Sequence, residues 1–393
     1  MGMFLLLLFL ILAFWMLVKW GIMILNTEQL RQKAHELALT HEPYITRWPF
    51  QRIRGDFDNN VKELRSYIRL LQDSSAHCSQ PAEEWLLDNA EFIQEQVVVV
   101  RQQLTGLTSR NLPNVRRTKD NRVLSICTDY LQHVDGNLDE DSLITYMNSY
   151  QQVSVLSIAE AWSIPLVLRI ALINHLCRVM KYVQQQRDAC ELAEKLLASL
   201  DMTRLDPETL KAALDEAGQD IPLGGSLIVH LTRQLREWAD DSLTVREWLM
   251  CKLDNGPESF DGIVSYEYQL QAAYQVTTGN LITSLRNISR WDWQNRFEQI
   301  CMVEQALREE STGIYALLDF PSRDLLRQKV EKLARRFNVP ETLVAKQAVM
   351  LSDRQGERAL QLRTRQDNNE EMPRQAFVAF YLLESKGIKE LHD

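Results

Sequence analysis

The first 25 residues limit the architecture of this chain more than any other stretch. Phe4 to Val18 carries no charge, and after Lys19 the apolar run resumes as far as Leu25. A run of roughly 22 residues matches the about 20 needed to cross a hydrocarbon core of ~30 Å as a helix. Lys19 lies near the end of that run, where its ammonium can snorkel to the headgroups, and Trp15 and Trp20 suit an interfacial belt. A cleavable signal peptide would show basic residues ahead of the run and a small-x-small site after it, and neither is present. The sequence therefore predicts a transmembrane anchor over residues 1–26.

The flanks predict its orientation. No Lys or Arg precedes the run, whereas Arg31, Lys33, Arg47, Arg52 and Arg54 follow it. The positive-inside rule then places the body of the chain in the cytoplasm of a bacterial cell, as a single-pass inner-membrane protein in contact with the lipid bilayer. Cys78, Cys127, Cys177, Cys190, Cys251 and Cys301 are scattered, with no CxxC pair. In a reducing compartment they read as small buried hydrophobes, and a disulfide framework is not expected.

The body reads as all-α. Only 14 glycines occur in 393 residues, about half the usual share of ~7%. That argues against a sheet rich in tight turns and against a phosphate-cradling loop. Helix starts recur: Gln80-Pro81-Ala82-Glu83, Ser157-Ile158-Ala159-Glu160, Asp206-Pro207-Glu208, Thr244-Val245-Arg246-Glu247, Pro321 and Pro340-Glu341. Between them Trp85, Leu86, Phe92, Ile93, Val97 and Val100 fall at helical spacing, and so do Leu325, Val330, Leu333, Ala334 and Phe337. The predicted architecture is an N-terminal transmembrane helix followed by a large multi-helix bundle or array. Its body divides into 27–203 and 204–393, which can form one domain.

Several segments are expected to be non-helical. Asp135-Gly136, Asn255-Gly256 and Asp261-Gly262 read as loops between helices, because none has alternating apolar runs on both sides. Residues 107–117, 200–207 and 219–225 read as boundaries, and the charge-dense stretch 353–373 as an exposed loop. The most apolar internal stretch, Ile158 to Val183, is interrupted by Glu160, Arg169, His175 and Arg178. An arginine near the bilayer centre would cost several kcal/mol, so this stretch reads as a core helix.

Three stretches carry a resemblance. They are Pro81-Ala-Glu-Glu-Trp-Leu-Leu-Asp-Asn89, Tyr150 to Leu172, and Gln275-Val-Thr-Thr-Gly-Asn-Leu-Ile-Thr-Ser-Leu-Arg286, the last continuing into Trp291-Asp-Trp293 and Gly313 to Phe320. In order and spacing the chain resembles the N-terminal region of bacterial cyclic β-1,2-glucan synthases over residues 30–390. The resemblance implies a link to glucose transfer from UDP-glucose, but the glycosyltransferase, transglycosylase and phosphorylase-like modules it implies would lie downstream. It therefore implies a structural or scaffolding role beside the glycosyltransferase remainder of a glucan synthase, with β-1,2-glucan as a further candidate partner. An unrelated membrane-tethered helical interaction protein is the alternative, and a glycan-active enzyme the third reading.

No catalytic, cofactor-binding or metal residue is assigned. Asp139-Glu-Asp141 spells Asp-x-Asp but reads as a helix cap, and Asn287-Ile-Ser-Arg-Trp291 falls one residue short of a Gln-x-x-Arg-Trp element. A glycosidase would need paired carboxylates and tryptophan platforms, for which Glu84, Asp88, Glu160 and Asp292 beside the tryptophans are thinkable but more simply caps. The seven histidines show no ligand spacing, and a net charge of −9 gives no footprint for nucleic acid. The residues singled out as structural or interaction positions are Trp85, Asp88, Asn89, Glu160, Trp162, Arg169, Asn280, Arg286 and Trp291. For Glu160, Arg169, Asn280 and Arg286 the expectation is buried ion pairing between helices, since an unpaired buried charge is costly, with contact to a partner domain or a glucan chain as the alternative.

Overall fold

A computed structural model describes residues 24–45, 49–73, 80–106, 112–199, 225–235, 260–366 and 372–392. The anchor expected over 1–26 lies almost wholly outside these residues. So do the helix starts at Asp206 and Thr244, the Asn255-Gly256 turn and the boundary at 200–207.

The described body is all-α, as the spacing predicts. The helices are α1 (Thr27–Thr40), α2 (Pro49–Asp73), α3 (Pro81–Asp88), α4 (Ala90–Gly106), α5 (Arg122–His133), α6 (Glu140–Gln151), α7 (Ile158–Ser199), α8 (Gly225–Leu235) and α9 (Phe260–Arg290). They continue as α10 (Trp293–Ile300), α11 (Met302–Arg308), α12 (Ile314–Leu317), α13 (Phe320–Phe337), α14 (Glu341–Gln366), α15 (Val378–Leu383) and α16 (Ser385–His392). A two-stranded antiparallel ribbon pairs β1 (Pro43–Ile45) with β2 (Pro113–Val115), Tyr44 opposite Asn114.

The caps form where the sequence writes them. Ser157 Oγ accepts from the Glu160 N–H at 3.3 Å, and Glu160 Oε2 accepts from the Ser157 N–H at 2.9 Å, so α7 opens on a reciprocal box. The Gln80 N–H donates to Glu83 at 3.0 Å ahead of Pro81. Asp139 accepts from the Ser142 N–H at 2.9 Å, which makes Asp-x-Asp a cap in the structure too. The helical reading of Val97 to Val100 also holds, with Val97 and Val100 buried and Val98 facing out.

The 42-residue α7 is the axis of the body, with α2, α5, α8 and α9 packed along it. Among the described residues it is the one helix long and apolar enough to cross a membrane, yet 83% of its most apolar window is buried in the fold. Its sides are covered by other helices, as the interrupting charges predict.

Two hydrophobic clusters make up the interior. The first runs from Leu30 to Val183 and takes in Leu281, Leu285 and Ile288 of α9. The second gathers Phe297, Leu307, Tyr315, Val330, Ala345 and Tyr381 around Ile158 and Ala161 from the first turn of α7. The start of α7 thus belongs to both clusters.

Three expectations need correction. Asp261-Gly262 lies inside α9, and most of the charged stretch 353–373 continues α14 as far as Gln366. A charge-dense helix with one wet face has the same composition as a loop, and here a Cβ at Gly356 would stand 3.9 Å from that of Ala376. Third, Cys127, Cys177 and Cys301 are free and buried, but Cys190 is disulfide-bonded, with a partner outside the described residues. A cysteine outside any CxxC pair carries no spacing signal for its partner in one sequence.

Candidate functional site

Two features combine exposed and buried polar chemistry. The first is a cleft of about 680 Å³ between the clusters, walled by Tyr44 and Ile45 of β1 and the segment 154–157 on one side. Arg335, Pro340 and Glu341 form the other side. Arg122, the first residue of α5, lies on its floor and is held by four acceptors. Nε and Nη2 meet the Glu160 carboxylate at 2.7 and 2.5 Å, Nη1 donates to Ser154 Oγ at 2.9 Å, and Nη2 to Val155 O at 3.0 Å. Burial alone would lower the Arg122 pKa, but the Glu160 hydrogen bonds and charge outweigh it, and the pKa is raised. Glu160 also holds the α7 cap, so both its oxygens are engaged.

Glu341 bridges the clusters. Its Oε2 accepts from the Ile158 N–H at 2.7 Å, meeting one of the unpaired amides at the start of α7. Burial pushes its pKa up, that hydrogen bond pulls it down, and the charges of Glu331 and Glu160 push it up again. Chemically this is an anion at a helix N-terminus beside a neutralised ion pair. It suits holding two layers together.

The second feature is the face between α3 and α9, where two of the resembling stretches meet. Trp85 lies half-exposed over Gly279; a Cβ there would stand 3.8 Å from its ring. Arg286 Nη2 donates to Asn89 Oδ1 at 2.5 Å, and the guanidinium lies 5.3 Å from the Phe92 ring centroid. Asn89 also donates to Trp85 O at 2.8 Å, where the chain breaks between α3 and α4. Asp88 is exposed, one turn beyond Trp85.

On a neighbouring side of α9, Asn280 Nδ2 donates to Asp135 O and Oδ2 at 3.1 and 3.2 Å, and Thr277 Oγ1 to Asp135 Oδ1 at 2.6 Å. Ser284 Oγ donates to Gly136 O and accepts from the Leu138 N–H. These bonds clamp the α5–α6 turn, in which Asp135 and Gly136 both have positive φ. Burial raises the Asp135 pKa, while the bonds from Thr277 and Asn280 lower it.

Trp85, Asp88, Asn89, Asn280 and Arg286 are therefore brought together around α9, whereas Glu160 lies in the cleft. Trp162 and Trp291 lie elsewhere. Trp162 stacks on Phe297 at 4.1 Å in the second cluster, and Trp291 packs beside Trp293 at the edge of the first. Arg169 is buried, its Nε has no hydrogen-bond partner among the described residues, and burial lowers its pKa.

Sequence reasoning passed over Arg122, Asp135, Thr277, Ser284 and the wholly buried Arg327. The last meets Glu304 at 2.6 Å between the rings of Phe297 and Phe320. Only the Asp135-Gly136 dipeptide left a local signal. Among the described residues no group of three or more His, Cys, Asp or Glu side chains is placed to hold a metal ion.

Fold and geometry together define a helical module in which buried Arg122 pairs with Glu160 and buried Arg327 with Glu304, and in which the stretches from α3 and α9 lock helices in register. In sequence the chain is similar to the cyclic beta-(1,2)-glucan synthase NdvB of Rhizobium meliloti (strain 1021), at 31% identity over 311 residues, 77% of this chain and 11% of that protein. The resemblance drawn from the motifs is thereby borne out. The chain spans about a tenth of the length of that curated relative. No family model matches the chain.

Proposed function

We propose that this chain is a membrane-anchored helical module of a cyclic β-1,2-glucan synthase system, giving structural support to a glycosyltransferase that uses UDP-glucose. The observation that carries the reading is the similarity to NdvB over 77% of the chain. Two features support a structural role. The Arg122–Glu160 and Asn89–Arg286 pairs join helices, and Glu341 ties α14 to the start of α7. Packing of α9 into the first cluster supports reading 27–203 and 204–393 as one domain.

The apolar run over 1–26 supports a single bilayer span, with the body at the cytoplasmic face of a bacterial inner membrane. Burial of α7 supports counting no second span within the described body.

The test is co-expression with a synthase lacking the matching region. Membranes holding both are expected to incorporate glucose from UDP-glucose into β-1,2-glucan and to yield both chains on affinity purification. Membranes lacking this chain are expected to lose most of that incorporation. Glucose transfer by this chain alone, or a partner indifferent to its presence, would overturn the proposal.

A further inference from the structure

The outer strip between α3 and α9 has a chemistry that the packing does not use. Tyr268, Ala272, Gln275 and Gly279 recur at four-, three- and four-residue intervals, so they share one face of α9. The eleven residue steps from Tyr268 to Gly279 span about 16 Å along the helix. Trp85 covers the Gly279 end, and at the Tyr268 end a pocket of about 200 Å³ opens between Pro81, Tyr182, Gln271 and Gln275. Both terminal aromatics are exposed, Trp85 at 42% and Tyr268 at 44%. Large rings left half-uncovered at both ends of one strip are not explained by the core.

The strip is also preorganised. Tyr182 donates to Glu267 at 2.8 Å and its ring lies 4.1 Å from that of Tyr274. Gln271 donates to Gln186 at 3.2 Å. Carboxamides supply both donors and acceptors, and the pocket's lining residues include no charged side chain. Asp88, exposed one turn past Trp85, adds an acceptor at the Trp85 end.

We infer that this strip binds a neutral gluco-oligosaccharide, with Trp85 and Tyr268 as platforms and Gln271 and Gln275 as hydrogen-bonding groups. Pyranose rings present C–H faces that cover aromatic rings and hydroxyls that pair with amides and carboxylates. A charged ligand would find no counter-ion in the pocket, and a purely apolar one would leave the amides unpaired. The inference rests on the reading of the chain as part of a β-1,2-glucan system, which supplies the choice of sugar.

The test is calorimetric titration of the full chain, in detergent micelles, with linear β-1,2-gluco-oligosaccharides. Saturable binding is expected for the wild-type protein. Trp85→Ala combined with Tyr268→Ala is expected to weaken it about tenfold or more, the scale of one to two kcal/mol for lost aromatic contacts. Trp85→Phe should keep most of it. Both side chains are half-exposed, so circular dichroism is expected to match the wild type.

Absence of saturable binding to the wild-type chain would overturn the inference, and so would binding that survives the double substitution. Unaltered sugar binding together with lost co-purification of the synthase remainder would make the strip a protein interface instead. Because the co-expression assay does not use this titration, a failed titration with intact glucan synthesis removes the sugar site and leaves the proposed function standing.

Discussion

At the residue scale the buried charges decide most. Arg122 and Glu160 are both almost wholly buried, and truncating one leaves the other without its counter-ion. Glu160→Ala is expected to cost about 3–5 kcal/mol in denaturant unfolding. The double variant Arg122→Met with Glu160→Leu should recover part of that loss, because the charge is removed along with its partner. Arg169 behaves differently. With no partner at Nε and with its pKa lowered by burial, Arg169→Met should be neutral or stabilising in the same measurement. The sequence shows that Glu160 and Arg169 each need a partner, because both interrupt an apolar helix. It does not show that the first has Arg122, 38 positions earlier, or that the second has no acceptor at Nε, since both are consequences of tertiary packing.

His175 gives the residue-scale pH dependence. Burial lowers its pKa to about 4, and the charge of Arg178 pushes in the same direction. The unfolded chain, with a histidine near 6.5, then binds more protons than the folded one between those two values. Stability at this site is full above about 6.5 and falls as the pH drops toward 4, by about 3 kcal/mol at most. Denaturation midpoints at pH 5 and 7.5 should draw apart less in His175→Leu than in the wild type; an unchanged gap would refute the assignment. Asp135 and Glu341, whose pKa values are raised, act in the opposite sense, so the comparison must be made between variant and wild type.

At the element scale, helix starts were legible because capping is local. Ser157 with Glu160, Asp139, and Gln80 with Pro81 all lie within four residues of what they satisfy. The length of α14 was not legible, since a helix with one wet face carries as much charge as a loop. The face of α9 was legible only in part. Its Thr277, Asn280 and Ser284 bind a turn some 140 positions earlier in the chain, and that docking is set by the tertiary fold. Gly136 is the sharpest test of the docking. Its φ is +68°, and a Cβ there would lie 2.6 Å from Leu281 Cδ2. Gly136→Ala should therefore cost about 1–3 kcal/mol through backbone strain and displacement of Leu281. Limited proteolysis should show faster cleavage between α5 and α6, and unchanged cleavage would mean that the turn does not depend on α9.

At the scale of the whole molecule, the start of α7 couples the two clusters: Ile158 and Ala161 pack in the second, while Ile164 and the residues after it pack in the first. The division of the interior could not be read from the sequence, because α9 lies late in the chain and packs early. The proposed orientation at a bilayer is tested at this scale. The proposed bilayer span over 1–26 and the basic residues after it place the body of the chain, on that reading, at the cytoplasmic face. Arg117 is exposed in the turn after β2, and Cys127, Cys177 and Cys301 are buried, so Arg117→Cys introduces a reactive thiol at a defined surface position. With the body in the cytoplasm, a membrane-impermeant maleimide should label this variant above the wild-type background only after the inner membrane is permeabilised. Labelling of intact spheroplasts would reverse the proposed orientation.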